Sequence, residues 1–369
     1  MRVLICCTTD SWGGLEQTAV RDAAALKKRS VDAEVLCLSR GAVLDKSKEL
    51  GAVIHTVNSQ AKYFNPELYF KLKKIADGFD VVHLHSFNTV FPLLFSLMGK
   101  KVKVFATRHI YVEHVKKDIF HRWYLSRIDK MLAVSDFSKK NILETYPISE
   151  NKIQTLYLGI DLNRHVRSDE KAAKFRKDFN IPSGKKIVGV VGRIDPMKGQ
   201  MEFVCAAPNV IQKYPDTHFV IVGRTTAEKE NEYLAAVKNK VRELGIEKHV
   251  TFTGFCEDIP SALSAMDIFV MPSYFETFGL IAIEAMACGV PVIATDRGSI
   301  NEIIPSDEYG IKIEPKNSGQ ISQAVIKILS SAEFSSKLKQ KAMERTKNIF
   351  DQVKYFDKLI KIYSGSGSF

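Results

Sequence analysis

The sequence predicts an α/β protein built from two Rossmann-like, doubly wound domains facing each other across a cleft. Three observations carry this expectation. Short apolar runs alternate with helical stretches over residues 1–135, the pattern of a parallel sheet covered on both faces. The alternation breaks over residues 159–184, which turn highly charged from Arg164 to Lys177 and end in Pro182-Ser183-Gly184. It restarts at Lys186 with KIVGVVGR. A chain of 369 residues suits two domains of ordinary size. The expected division is 1–160, a linker over 161–184, 185–349, and a final helix with a flexible tail over 350–369 that packs back toward the first domain.

In the first domain the strand-like runs are 2–7, 33–38, 53–57, 81–85, 102–107 and 131–135. Residues 15–28, after the first run, carry apolar side chains at helical spacing. Residues 112–128 (VEHVKKDIFHRWYLSRI) set Val112, Val115, Ile119, Trp123 and Ile128 roughly on one stripe, with Lys116, Lys117, Arg122 and Arg127 mostly elsewhere. A helix packed on the sheet with a wet basic face fits that spacing. A face for anionic lipid headgroups or a phosphorylated acceptor is the sharper alternative. In the second domain, strands are expected over 186–193, 218–223, 250–254, 267–273 and 291–296, with helices between most of them and at the end, including 350–363.

Composition narrows the class. No apolar run is long enough to span a bilayer, and the start, MRVLICCTTD, resembles a first strand rather than a secretory signal. Six cysteines are scattered without metal or CxxC spacing, as expected of reduced thiols in a cytoplasmic protein. The last residues, SGSGSF, are expected to be disordered. Charge is uneven: residues 1–160 hold 24 Lys and Arg against 16 Asp and Glu, the remainder 29 against 26. A basic first half implies an anionic partner. Without an RNA-binding motif or an aromatic-rich basic ribbon, a nucleic acid is not the expected one.

Ligands of such sheets sit beyond the carboxyl ends of the strands, and several candidate residues fall there. Gly13-Gly14-Leu15-Glu16 joins the first strand to the first helix, so backbone can approach a phosphate. His83 and His85 lie near one strand end; a polar strand-end pair is the plainer account, since no acidic or Cys cluster accompanies them for a metal. His109 follows another strand end and could bond a substrate hydroxyl. In the second half Arg193 ends the first strand and Lys198-Gly199 opens the next helix. A two-pronged donor and a compact charge at one loop suit a diphosphate, although the Walker A glycines are missing. Residues 274–291, YFETFGLIAIEAMACGVP, form the central unit: Glu276 and Glu284 flank the turn Phe278-Gly279-Leu280 at the start of a small-residue helix. An ordinary βαβ crossover would look similar. A hydrolytic carboxylate pair is disfavoured, since eight helical residues span about 12 Å. Separate tasks fit better: Glu284 for a ribose diol and Glu276 for sugar hydroxyls.

Taken together, ETFGLIAIE followed by AMACGVPVIAT, GRIDPMKG, VTFTGF, VSDFSK and GGLE resemble, in order and over nearly the whole chain, the retaining glycosyltransferases of family 4 with the two-domain GT-B fold. The resemblance implies a donor-binding second domain and a mainly acceptor-binding first domain. It implies that Arg193 and Lys198 bind the donor diphosphate, Glu284 the ribose, and Glu276 with the Phe278–Leu280 backbone the sugar. His109 would lie near the transferred sugar, Gly14 would approach the phosphates, and Phe255 would lie by the base. Retention would proceed without a covalent enzyme nucleophile, the leaving phosphate helping to deprotonate the acceptor. No cofactor or metal is implied, and the chain lacks a D-x-D triplet. Two departures stand out: Leu158 replaces the frequent Asn before Gly-Ile-Asp, and Arg224-Thr225-Thr226 replaces a frequent G-x-G. Both bear on donor identity. The expected partners are a UDP-, GDP- or ADP-sugar and an anionic glycan or lipid-linked acceptor, in lipopolysaccharide or other cell-surface polysaccharide synthesis. The expected location is cytoplasmic, peripheral on the inner membrane face. A nucleotide-sugar 2-epimerase on the same fold is the alternative, and a non-enzymatic basic membrane- or nucleic-acid-binding protein a more distant one.

Overall fold

The computed structural model describes residues 1–58, 65–226 and 228–365; residues 366–369 of the expected disordered tail lie outside them. The chain forms two compact units, Met1–Tyr157 with the segment from Val353 onward, and Leu158–Gln352.

Among the described residues the first unit holds one parallel sheet of β1 (Arg2–Cys7), β2 (Asp32–Leu38), β3 (Val53–Val57), β4 (Val81–Leu84), β5 (Lys103–Arg108), β6 (Lys130–Ala133) and β7 (Ile153–Thr155). Their spatial order is β3-β2-β1-β4-β5-β6-β7. The chain winds outward from β1 to β3 and returns to the other side of β1 at β4. Val3 therefore stands opposite both Ala33 and Val81. The gap between the loops after β1 and β4 is the topological switch point, where doubly wound sheets bind ligands. Helix Gly14–Lys27 covers one face through Ala19, Val20, Ala23 and Leu26, spaced as a helical stripe.

The chain's last helix, Gln352–Ser364, completes this unit. Tyr355, Phe356, Leu359, Ile362 and Tyr363 are buried, again one stripe. The Tyr355 hydroxyl donates to Asp22 at 2.6 Å, and the Arg29 guanidinium lies 4.6 Å over the Phe356 ring.

Residues 112–128 do not form the single packed helix that their spacing suggested. Only Ile119–Leu125 is helical. The preceding loop is held by the Asn141 side chain, which bonds the Val112 N–H and C=O at 2.8 and 3.0 Å. Asp118 then caps the helix by accepting from the His121 N–H. The break divides the apolar stripe. Val112 and Ile128 are buried, but Val115, Ile119 and Trp123 are 68%, 85% and 42% exposed.

In the second unit β8 (Lys186–Val191), β9 (Thr217–Val222), β10 (Val250–Gly254), β11 (Ile268–Met271), β12 (Val292–Thr295) and β13 (Ile311–Ile313) take the order β10-β9-β8-β11-β12-β13. The winding repeats, so its switch point lies between β8 and β11. Residues 161–184, expected as a linker, contain helix Asp169–Asp178, capped by Ser168. Phe175 is buried, and Arg167 and Ser168 bond Met266 and Ser264. The charges that suggested a linker are this helix's solvent face. Strands β7 and β13, three residues each, escaped the sequence because so short a run carries no period.

Phe356→Ala empties a fully buried site and is expected to cost about 3–5 kcal/mol. Phe70→Ala, at an exposed position, is expected to change stability by no more than about 0.5 kcal/mol. Equilibrium denaturation of the two variants checks the docking of the last helix.

Candidate active site

The second unit brings Lys198 and Glu276 together at its switch point, with Arg193 just past the end of β8 paired to Asp195 and Glu230. Gly192 leaves β8 and is followed by a short 3-10 turn, Pro196–Lys198, which Asp195 caps by accepting from the Met197 N–H at 2.8 Å. Gly199 then starts the next helix in left-handed backbone, φ 69°. A Cβ at Gly199 would lie 2.2 Å from the Pro272 carbonyl oxygen, so only glycine lets this turn approach the loop after β11. The approach is sealed by the Tyr274 N–H donating to Met197 O at 2.8 Å. Lys198 Nζ thereby reaches Glu276 Oε1 at 2.6 Å. The Glu276 backbone is held in turn: its carbonyl accepts from the Ser299 N–H, and a Cβ at Gly298 would lie 1.9 Å from that oxygen.

Both cations have carboxylate partners. Arg193 Nη2 donates to Asp195 at 2.8 Å, and its Nε lies 3.5 Å from Glu230. Sequence inspection singled out the cations and passed over Asp195 and Glu230. The Asp-Pro dipeptide, a turn and capping signal, was the available cue for Asp195; Glu230 carried none. Gly279, φ 80°, caps helix Leu280–Ala287. The Phe278 side chain is buried against Phe350, ring centroids 6.1 Å apart, so this turn can offer a ligand backbone N–H groups but not that ring. Glu284, on the same helix, lies 3.6 Å from His165 Nε2. Phe255 is 53% exposed and the Arg224 guanidinium stacks 4.6 Å over its ring, a flat platform of the kind on which a base can stack.

In the first unit Gly14 is the exposed first residue of its helix. The loop before it is fixed by buried Glu16, which accepts from Thr9, Ser11 and the Gly13 N–H at 2.6–2.8 Å. His109, half-buried just past β5, bonds His85 Nδ1 through its Nε2 at 3.0 Å. His85 Nε2 lies 3.9 Å from Asp22, and Asp22 accepts from Tyr355. His83 bonds Tyr363 and Thr107. The candidate His109 thus heads a buried polar chain, and the HxH pair is part of its support. Burial holds His83 and His109 to pKa values of about 3 and drives His85 down as well. His109 therefore faces a ligand as a neutral imidazole at neutral pH, able to share a proton without carrying a charge. Asp22 and the two tyrosines were missed because their meeting depends on the last helix, far away in sequence.

A cavity of about 760 Å³ is lined by Lys100, Lys101, Lys103, Asp77 and Asp80. It lies where β4 and β5 begin, opposite to the strand ends that carry the candidate residues. Among the described residues no group of three His, Cys, Asp or Glu side chains is placed to hold a metal ion.

Two family descriptions cover most of the chain: "Glycosyltransferase Family 4" matches residues 12–164 and "Glycosyl transferases group 1" residues 171–345. Spore coat protein SA of Bacillus subtilis is 26% identical, with 95% of this chain and 94% of that protein covered. An uncharacterized glycosyltransferase of Methanocaldococcus jannaschii is 28% identical over 70% of this chain and 68% of that protein. Among solved structures, HepE of Anabaena in complex with UDP and glucose has a TM-score of 0.86 at 21% identity, covering 99% of both chains. These similarities show the two-unit Rossmann-like architecture in a known enzyme fold.

His83 gives the stability a predictable pH dependence. Its folded-state pKa, about 3, lies below the ordinary 6.5. The unfolded chain takes up that proton as pH falls through about 6.5 while the folded chain does not, so this stability is full above that pH and is lost progressively toward pH 3. Acidification from about 6.5 to about 5.5 is expected to cost on the order of 1 kcal/mol through His83 alone. Thermal unfolding across that range should show a shallower slope for His83→Gln; an equal slope would assign the dependence to other groups.

Proposed function

Since the chain belongs to the group 1 glycosyltransferases of the GT-B fold, we propose that it moves a sugar from a nucleotide-sugar donor to a glycan or lipid-linked acceptor with retention of configuration and without a metal ion. Its place is the synthesis of lipopolysaccharide or another cell-surface polysaccharide, at the cytoplasmic face of the inner membrane. The observation that carries this reading is the junction of Lys198 with Glu276, just before the Gly279-capped helix.

In this mechanism the second unit holds the donor. The diphosphate takes Lys198 and Arg193, whose present partners Glu276 and Asp195 act as stand-ins for its charge. Releasing Lys198 turns Glu276 toward the sugar hydroxyls, assisted by the backbone of Phe278, Gly279 and Leu280. Glu284 accepts from the ribose, and Phe255 with Arg224 supports the base. The bond from the sugar's anomeric carbon to the phosphate oxygen breaks as the acceptor oxygen bonds that carbon on the same face. The acceptor's proton passes to the departing phosphate oxygen, and the negative charge that develops is stabilised by the two cations. In the first unit, the exposed backbone at Gly14 suits a phosphate, and neutral His109 suits a ligand hydroxyl.

The exposed apolar side chains Val115, Ile119, Phe120 and Trp123, interspersed with Lys116, Lys117 and Arg122, support contact with an anionic membrane: rings and branched chains enter the interface while the cations meet headgroups.

Stabilisation by UDP-, GDP- or ADP-type ligands in a thermal-shift panel is expected to identify the donor class by linkage. No response to any of them would remove the donor assignment, and epimerisation of a nucleotide sugar incubated alone would replace transfer. Glu276→Ala is expected to lower kcat by about a hundredfold or more while nucleotide affinity changes little. Lys198→Ala and Arg193→Ala are expected to reduce donor turnover by a similar order. Near-normal turnover would dismiss the assigned roles. In vesicle flotation, Trp123→Glu should weaken binding to phosphatidylglycerol vesicles while phosphatidylcholine vesicles bind little in either case; equal flotation of variant and parent would count against the membrane contact.

A further inference from the structure

Arg108 ends β5 immediately before His109, and its surroundings are unusual for an arginine. Its guanidinium carbon lies 4.9 Å from the centre of the Phe87 ring and 5.8 Å from that of Tyr146. Its Nε is buried, and among the described residues it has no hydrogen-bond partner. None of those residues offers it a carboxylate within ion-pair distance. Tyr146 is only 2% exposed, and its hydroxyl likewise lacks a hydrogen-bond partner among the described residues. Lys116 Nζ lies 5.9 Å from the same Tyr146 ring. The Lys116 N–H donates to Thr145 O at 2.7 Å, which fixes that loop against the end of helix Asp136–Thr145.

A buried guanidinium N–H without an acceptor is costly, as is a buried hydroxyl without a partner. Here two such groups sit side by side, and contact with two aromatic faces offsets only part of the cost. Burial depresses the Arg108 pKa, disfavouring its charge as it stands, and raises that of Tyr146, which keeps its hydroxyl a donor. An incoming oxyanion would accept from the guanidinium fork and the Tyr146 hydroxyl together, and Lys116 would add a second positive charge. His109, just past the strand, is bonded to His85, so a ligand bound at Arg108 does not compete for it.

We propose that Arg108, with Tyr146 and Lys116, is the seat of a phosphate group carried by the acceptor. This rests on the glycosyltransferase reading and extends it by giving the acceptor's negative charge a place in the first unit. The phosphate can belong to a soluble sugar phosphate or a lipid headgroup; either presents the same tetrahedral oxyanion.

The test uses the full-length chain carrying Arg193→Ala and Lys198→Ala, so that the donor-phosphate cations do not contribute. Calorimetric titration with inorganic phosphate is expected to show binding that Arg108→Gln weakens by about tenfold or more, and Tyr146→Phe by several-fold. Arg108→Lys keeps charge and bulk but lacks the two-pronged geometry. It should also weaken binding, which secures the result if the glutamine variant fails to fold. Glycerol 3-phosphate and phosphatidic acid vesicles separate the two sources: dependence on Arg108 in either arm upholds the site and names its ligand. Absence of phosphate binding, or binding that Arg108→Gln and Arg108→Lys leave unchanged, overturns it. The nucleotide panel on the unsubstituted chain keeps the two readings apart. Stabilisation by a nucleotide sugar without Arg108-dependent phosphate binding defeats this inference alone, whereas no nucleotide response defeats the donor reading beneath it.

Discussion

The contact between Gly199 and the Pro272 carbonyl is the constraint from which the second unit's chemistry follows. A side chain at Gly199 would push the turn after β8 away from the loop after β11. With that separation would go the bond from Tyr274 to Met197, and then the reach of Lys198 to Glu276. Strand order alone brings the two loops to the same switch point, but only to within loop dimensions. Glycine in left-handed backbone closes the remaining distance at the cost of a freer unfolded chain. The site is therefore positioned by backbone packing, which is stiffer than any arrangement of long side chains would be.

Electrostatically the two units take opposite courses. In the second, each candidate cation is already matched: Lys198 with Glu276, Arg193 with Asp195 and Glu230. An anionic ligand exchanges one carboxylate for another and need not rescue an uncompensated charge. In the first, the histidines are kept neutral by burial; His109 bonds His85, and His85 Nε2 lies 3.9 Å from Asp22, which accepts from Tyr355. Arg108 is the exception there, a cation held against aromatic faces.

The sheets were legible in the sequence because β1, β4, β8 and β11 are buried on both faces and so appear as unbroken apolar runs. The candidate residues Arg193, Lys198, Glu276 and Glu284 were legible because they sit at fixed offsets from strand ends and from one short helix. What escaped depended on long-range meeting. Asp22 is an unremarked helix residue until Tyr355 reaches it, and His165 gains its place beside Glu284 only through the fold. Residues 112–128 misled for a different reason. Their apolar spacing was real, but Asn141 and Asp118 divide the segment into a loop and a short helix, and periodicity cannot register a break made by a distant side chain.

The last helix has a consequence for how the molecule is made. Domains usually fold in the order in which they are synthesised, and the first unit's strands are all in hand by residue 155. Yet its core includes Tyr355, Phe356, Leu359 and Tyr363, and the carboxylate of Asp22 and the imidazole of His83 wait for hydroxyls from that segment. The nascent amino-terminal unit must persist with an open seam while the whole second unit emerges. The first unit is thus finished after the second, and the support of His109 is completed only once residues 355–363 have been made.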